Sequence, residues 1–176
     1  MNLPNKLTVL RVIMIPFFVV MLMLDGGANQ MYRYIAAAIF IIASFTDFLD
    51  GSIARKYGLV TNFGKFMDPL ADKLLVCSAL ICFAATRQLP AWMVIVIIAR
   101  EFIISGFRLI ASDEGVVIAA SYWGKIKTVV QITMIIAVII EFPYAMVIAW
   151  AAVILTIVSL VDYVIKNIHV IKKGGM

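Results

Sequence analysis

Histidine occurs once in this chain of 176 residues, cysteine twice, and charged side chains make up only 14% of it. Each shortage excludes something. Soluble domains carry about 25% charged and about 45–50% apolar residues, whereas this chain is 64% hydrophobic. A soluble domain of this length could not hide so much apolar surface; a bilayer can cover it with lipid. Cys77 and Cys82 are five apart in one apolar run, where a helix holds their side chains too far apart for a disulfide. They read as small packing hydrophobes. The single histidine, His169, lies in the C-terminal tail, so the rest of the chain has no imidazole to offer zinc. The net charge of +5 raises the question of nucleic acid, but the basic residues do not gather on a soluble face. No cleavable leader is expected, because the first apolar run is long, carries Arg11 and lacks a small-residue cleavage site. No internal repeat, low-complexity stretch or linker interrupts the chain, which reads as one domain over residues 1–176.

Long apolar runs fill the sequence. A spanning helix needs about 20 mostly apolar residues, and six candidates satisfy this. They run from Thr8 to Leu24, Met31 to Arg55, Gly64 to Thr86, Pro90 to Ala111, Tyr122 to Ile140 and Pro143 to Ile168. Residues 1–8, with Pro4 and Asn5 as helix-start signals, suggest a short interfacial segment ahead of the first span. With the N-terminus inside, thirteen of the fifteen Lys and Arg fall on the cytoplasmic side and only Arg33 and Arg87 on the other, as the positive-inside rule requires. The expected architecture is all-α and integral to the membrane, with six spans and both termini cytoplasmic. Trp92 and Trp123 fit an interfacial belt.

Four of the ten acidic residues stand at the end of the second run and the start of the third. Asp47 and Asp50 are spaced i,i+3 and Asp68 and Asp72 i,i+4, so each pair shares a helix face. The short connection between the runs makes the two helices antiparallel neighbours. The four carboxylates then converge at one depth near the cytoplasmic boundary. One acid at a helix end is as easily read as a residue reaching for the interface; four on two facing faces are not, and intramembrane acids point to function. Their mutual repulsion calls for neutralisation. An all-oxygen site suits Mg²⁺, Mn²⁺ or Ca²⁺. Gly51 and Ala54 leave room for close approach to the helix, or simply let helices pack. Arg55 can bind a phosphate or anchor the inner side.

The string D-x2-D-G-x2-A-R-x8-G-x3-D-x3-D, from Asp47 to Asp72, resembles the signature of the CDP-alcohol phosphotransferases at every fixed position. The resemblance implies a six-helix membrane enzyme, typically a homodimer, that passes the phosphoryl-alcohol part of a CDP-linked donor to an acceptor hydroxyl and releases CMP. It implies that Asp47, Asp50, Asp68 and Asp72 ligate metal, that Asp72 is also the general base, and that two divalent ions, Mg²⁺ or Mn²⁺, serve as cofactors. Gly51, Arg55 and Thr61 would contact the CDP moiety, with Asn5 and Thr8 closing over the nucleotide.

Three further stretches, residues 2–11, 100–108 and 124–128, make the whole chain similar to a bacterial branch of that family. In that branch the donor is CDP-diacylglycerol and the acceptor glycerol 3-phosphate. The expected site is the bacterial cytoplasmic membrane, among membrane lipids, with the active site facing the cytoplasm and no nucleic-acid partner. Arg100, Arg108, Lys125 and Lys127 suit an anionic acceptor and could cradle its phosphate; as a group they also read as inner-side flank residues. Arg100 fits that plainer reading least, because it lies deep in an apolar run. Its neighbour Glu101 is expected to pair elsewhere, since adjacent helix residues do not face each other. Rival readings are a sister enzyme with another acceptor, a divalent-cation transporter and a purely structural membrane protein. The missing inverted repeat argues against the transporter, and the four acids against the structural protein.

Overall fold

A computed structural model describes the backbone of residues 2–57, 62–113 and 121–173. It describes side chains in those ranges except at 3, 4, 47–57, 62, 63, 65, 66, 110, 112, 113 and 169–173. Among the described residues there are six α-helices and no strand. They are α1 Leu3–Met23, α2 Gln30–Tyr57, α3 Asn62–Ala85, α4 Ala91–Asp113, α5 Tyr122–Ile139 and α6 Ala145–Lys173. The expected runs match these within a few residues, with one informative exception. Residues 3–8 form no separate segment but are the first turns of α1. The Asn2 side chain accepts the Asn5 N–H at 3.2 Å, and Pro4 sits in the first turn, where no intrahelical N–H is needed. These start signals therefore open the long helix itself.

Among the described residues, three helices are long and apolar enough to cross a membrane, over Asn5–Gly27, Tyr122–Ile139 and Ala145–Ile168. The sequence of α2 carries Asp47, Asp50, Arg55 and Lys56, and α3 and α4 carry Asp68, Asp72, Lys73, Arg100, Glu101 and Arg108 within their length. The helices that bear the candidate chemistry are thus the ones whose hydropathy is diluted. Large apolar side chains stay exposed in helical stripes, such as Leu10, Ile13, Phe17 and Val20 on α1. On a water-soluble protein such stripes would be interaction patches; on a membrane helix they face lipid. Cys77 and Cys82 are both buried, and neither forms a disulfide.

The chain gathers into two compact units. The first holds residues 1–88 with 135–142, the second residues 89–134 with 143–176. In the first unit α1 and α2 are antiparallel. Arg11 donates from Nε to the Ala43 carbonyl at 3.3 Å, and Phe18 meets Phe40 at 5.7 Å between ring centroids. Buried Ala36, Ala37, Ala43, Ala71 and Ala79 let the helices approach closely. After α1 the chain reverses through a 3-10 turn, Leu24–Gly27, in which Asp25, Gly26 and Gly27 take positive φ. Gly27 is buried, and a Cβ there would lie 3.2 Å from the Leu22 carbonyl, so glycine is required.

In the second unit α4 and α6 run parallel. Trp92 meets Trp150 at 5.4 Å, Arg100 meets Ser159, and Phe107 meets Tyr163 at 6.4 Å, the partners advancing together along both helices.

Candidate functional site

The two halves of the acidic string fall on α2 and α3, whose bounds leave only residues 58–61 between them. Asp47 and Asp50 lie on the C-terminal part of α2; their side chains, with those of Gly51 and Arg55 and the whole of Thr61, lie outside the described residues. Asp68 and Asp72 are described and half-buried, one turn apart on α3. Pro69 follows Asp68 inside the helix. It has no N–H to give the carbonyl four residues back, so the helical ladder is interrupted at the acids.

Thr8 joins this pair from α1. Its side chain is fully buried, and its hydroxyl donates to Asp68 Oδ1 at 2.5 Å. The charge on the carboxylate strengthens such a bond and fixes the direction of the oxygen that remains. Asn5, one turn earlier on the same face, is also buried. Both residues are expected to close over a nucleotide; the structure bonds Thr8 to an acid, a contact sixty residues long in sequence. Arg11, one turn beyond Thr8, is fully buried as well. A charge inside an apolar run is the signal in the sequence that marks Arg11. Carboxylate oxygens are the donors a hard divalent cation takes, and the Thr8 hydroxyl holds one of them from behind; among the described residues no three acidic, cysteine or histidine side chains converge.

The basic residues lie in the second unit and divide by burial. Arg100 and Lys127 are buried, while Arg108 and Lys125 are exposed. Arg100 donates from Nε to Ser159 Oγ at 3.2 Å. A Cβ on Gly124 would lie 3.5 Å from its terminal nitrogen Nη2, so the first turn of α5 passes beside the guanidinium. Lys127 pairs with Glu101. Glu101 thus pairs elsewhere, as expected, but it also lies 3.5 Å from Arg100 Nη1, so the two neighbours do not stay apart. The Arg side chain is long enough to fold back toward its neighbour. One internal carboxylate therefore holds two of the four cations named from sequence. Ser159 and Glu101 were missed as members of this cluster because nothing in their local sequence names their partners.

Residues 1–158 match the family described as CDP-alcohol phosphatidyltransferase. The chain is 46% identical to the CDP-diacylglycerol–glycerol-3-phosphate 3-phosphatidyltransferase of Bacillus subtilis, with 99% of each chain covered. It is 41% identical to a probable phosphatidylglycerophosphate synthase of Mycobacterium tuberculosis, over 99% of this chain and 85% of that one. With the CDP-diacylglycerol–glycerol-3-phosphate 3-phosphatidyltransferase of Haemophilus influenzae it shares 40% identity, over 92% and 91%.

Proposed function

Because the chain belongs to the CDP-alcohol phosphatidyltransferase family, we propose that it moves the phosphatidyl group of CDP-diacylglycerol to the primary hydroxyl of glycerol 3-phosphate. The products are phosphatidylglycerophosphate and CMP, in the synthesis of anionic phospholipids. The observation that carries the reading is the full-length likeness to relatives named for this reaction. The acids on α2 and α3, with Thr8 bonded to Asp68, supply the chemistry it needs.

When bound, two divalent ions, Mg²⁺ or Mn²⁺, held by Asp47, Asp50, Asp68 and Asp72, would neutralise the donor's diphosphate and the charge developing on CMP. Asp72 takes the proton from the primary hydroxyl of glycerol 3-phosphate, and the resulting oxygen attacks the phosphorus that carries diacylglycerol. Gly51 lets the nucleotide approach the helix, Arg55 and Thr61 hold its phosphates and sugar, and Asn5 lines the same place. Thr8 orients Asp68. Arg100, Arg108, Lys125 and Lys127 hold the acceptor's phosphate, and Glu101 fixes where the buried pair of cations stands. The acyl tails remain in lipid.

We read the protein as one domain, a six-span homodimer in the bacterial cytoplasmic membrane with its active site and termini on the inner side. The thirteen-to-two division of Lys and Arg supports that orientation.

The direct test is CMP release from CDP-diacylglycerol by the purified protein, with and without glycerol 3-phosphate, in Mg²⁺ or Mn²⁺. Release that requires both acceptor and metal is expected. Release driven by inositol phosphate or serine and not by glycerol 3-phosphate would sink the acceptor assignment.

Thr8→Val gives a second expectation. Removing the hydroxyl behind Asp68 should raise the Mn²⁺ concentration needed for half-maximal CMP release by about 10–100-fold. It should also weaken the stabilisation of the protein by Mn²⁺ in thermal unfolding. Unchanged metal dependence in both measurements would show that Thr8 does not serve the metal site.

A further inference from the structure

Tyr163 lies on α6 one turn beyond Ser159, so the two side chains share a helix face. That face meets α4: Ser159 accepts the Arg100 Nε–H, and the Tyr163 ring packs beside Phe107. Tyr163 is 2% exposed, and its hydroxyl oxygen is buried with no hydrogen-bond partner among the described residues. The Tyr163 ring thus stands one turn along α6 from the hydroxyl that holds the Arg100 guanidinium. Around them the polar groups are engaged. Ser159 passes its own proton to the Thr156 carbonyl at 3.0 Å, and Lys127 is on Glu101.

A buried hydroxyl without a partner calls for an explanation. Phenylalanine would fill the same space against Phe107 and leave nothing unsatisfied, so packing does not account for the oxygen. The cluster beside it is cationic and partly buried, with Arg108 reaching solvent. Its complement is an anion whose oxygens accept hydrogen bonds. A phosphate monoester has acceptor oxygens to spare after Arg100 and Lys127 are met, and a phenol can donate to one without adding charge.

We infer that the Tyr163 hydroxyl donates to the phosphate of the acceptor, as a specificity-determining residue of the cluster around Arg100. The assignment rests on the function proposed above. It separates recognition of the acceptor from recognition of the donor, because every residue named for CDP and metal lies on α1, α2 or α3 or in the segment between α2 and α3.

Tyr163→Phe tests it. In CMP release the KM for glycerol 3-phosphate should rise about tenfold or more, the loss expected for one hydrogen bond to a charged group. The kcat and the KM for CDP-diacylglycerol should stay within about twofold. Without ligand the thermal midpoint should equal or exceed that of wild type, since an orphaned polar atom has been removed. The stabilisation given by glycerol 3-phosphate alone should be lost. An unchanged KM for glycerol 3-phosphate, in a protein whose wild type shows acceptor-dependent CMP release, overturns the assignment and leaves the function standing. A midpoint well below wild type also overturns it, because the hydroxyl would then be bonded within the protein. Failure of the wild type to use glycerol 3-phosphate overturns the function, and the assignment falls with it.

Discussion

Asp72→Asn is expected to lower CMP release by about 10²–10⁴-fold, the contribution of a positioned general base. The substitution keeps the size of the side chain and one oxygen that can still face a cation, but the amide cannot take a proton. Asp72 is half-buried on α3, one turn beyond Asp68, so the exchange disturbs little packing. The result has to distinguish a base from a ligand. If Asp72 only held metal, millimolar Mg²⁺ or Mn²⁺ would restore the rate of the variant. If it takes the proton, excess metal leaves the rate low and metal-induced stabilisation is largely retained. Asp68→Asn provides the contrast: it should lose rate together with metal affinity and recover partly as the ion is raised. Near wild-type CMP release by Asp72→Asn would remove it from the proton-transfer role.

Arg33→Ala is expected to be the most destabilising single change outside the acidic site. Arg33 is 3% exposed. Its Nε donates to the Ile139 carbonyl at 2.6 Å, Nη2 to Val138 at 2.7 Å and Nη1 to Gly27 at 3.0 Å. Nη1 also pairs with Glu141 at 2.7 Å. The Gln88 amide, with its oxygen turned inward, accepts from both terminal nitrogens. Val138 and Ile139 close α5 and their carbonyls carry its negative end; the Val138 carbonyl also accepts the Glu141 N–H at 3.2 Å. One guanidinium thus caps α5, anchors the turn after α1 and fixes the start of α2. A buried hydrogen bond to a charged group contributes about 1.5–3 kcal/mol. Losing the whole set should cost on the order of 3–5 kcal/mol, as for other broken buried charge networks. In detergent that corresponds to a fall in the thermal midpoint on the order of 10 °C. Arg33→Lys should fall between, since an ammonium keeps the charge but cannot span carbonyls on three segments. A midpoint for Arg33→Ala within about 2 °C of wild type would show the cap to be dispensable.

Much of this molecule was legible before its structure. Apolar runs of spanning length marked the helices to within a few residues, because a helix satisfies its own backbone and needs no distant partner. The acidic string was legible too, because both halves are helical and a face is set by spacing alone. The N-terminal segment was misjudged in a small way. Pro4 and Asn5 announced a helix start, but nothing local said that the helix would run unbroken to Met23.

The tertiary structure decided what each polar group meets. Thr8 on Asp68, Arg33 on the end of α5, Lys127 on Glu101 and Arg100 on Ser159 join residues 26 to 106 positions apart. Periodicity tells which face of a helix is polar but not which helix lies opposite, and in a chain this apolar several neighbours would serve equally well. A hydroxyl inside a helix therefore looks the same in sequence whether it bonds its own backbone, orients a carboxylate as Thr8 does, or stands unpartnered like that of Tyr163. The sequence by itself determined the helices and the four acids, because both depend on neighbours along the chain. Only the packing of the helices decided the partners of the buried charges, because burial makes a charge seek whatever acceptor the fold brings within reach.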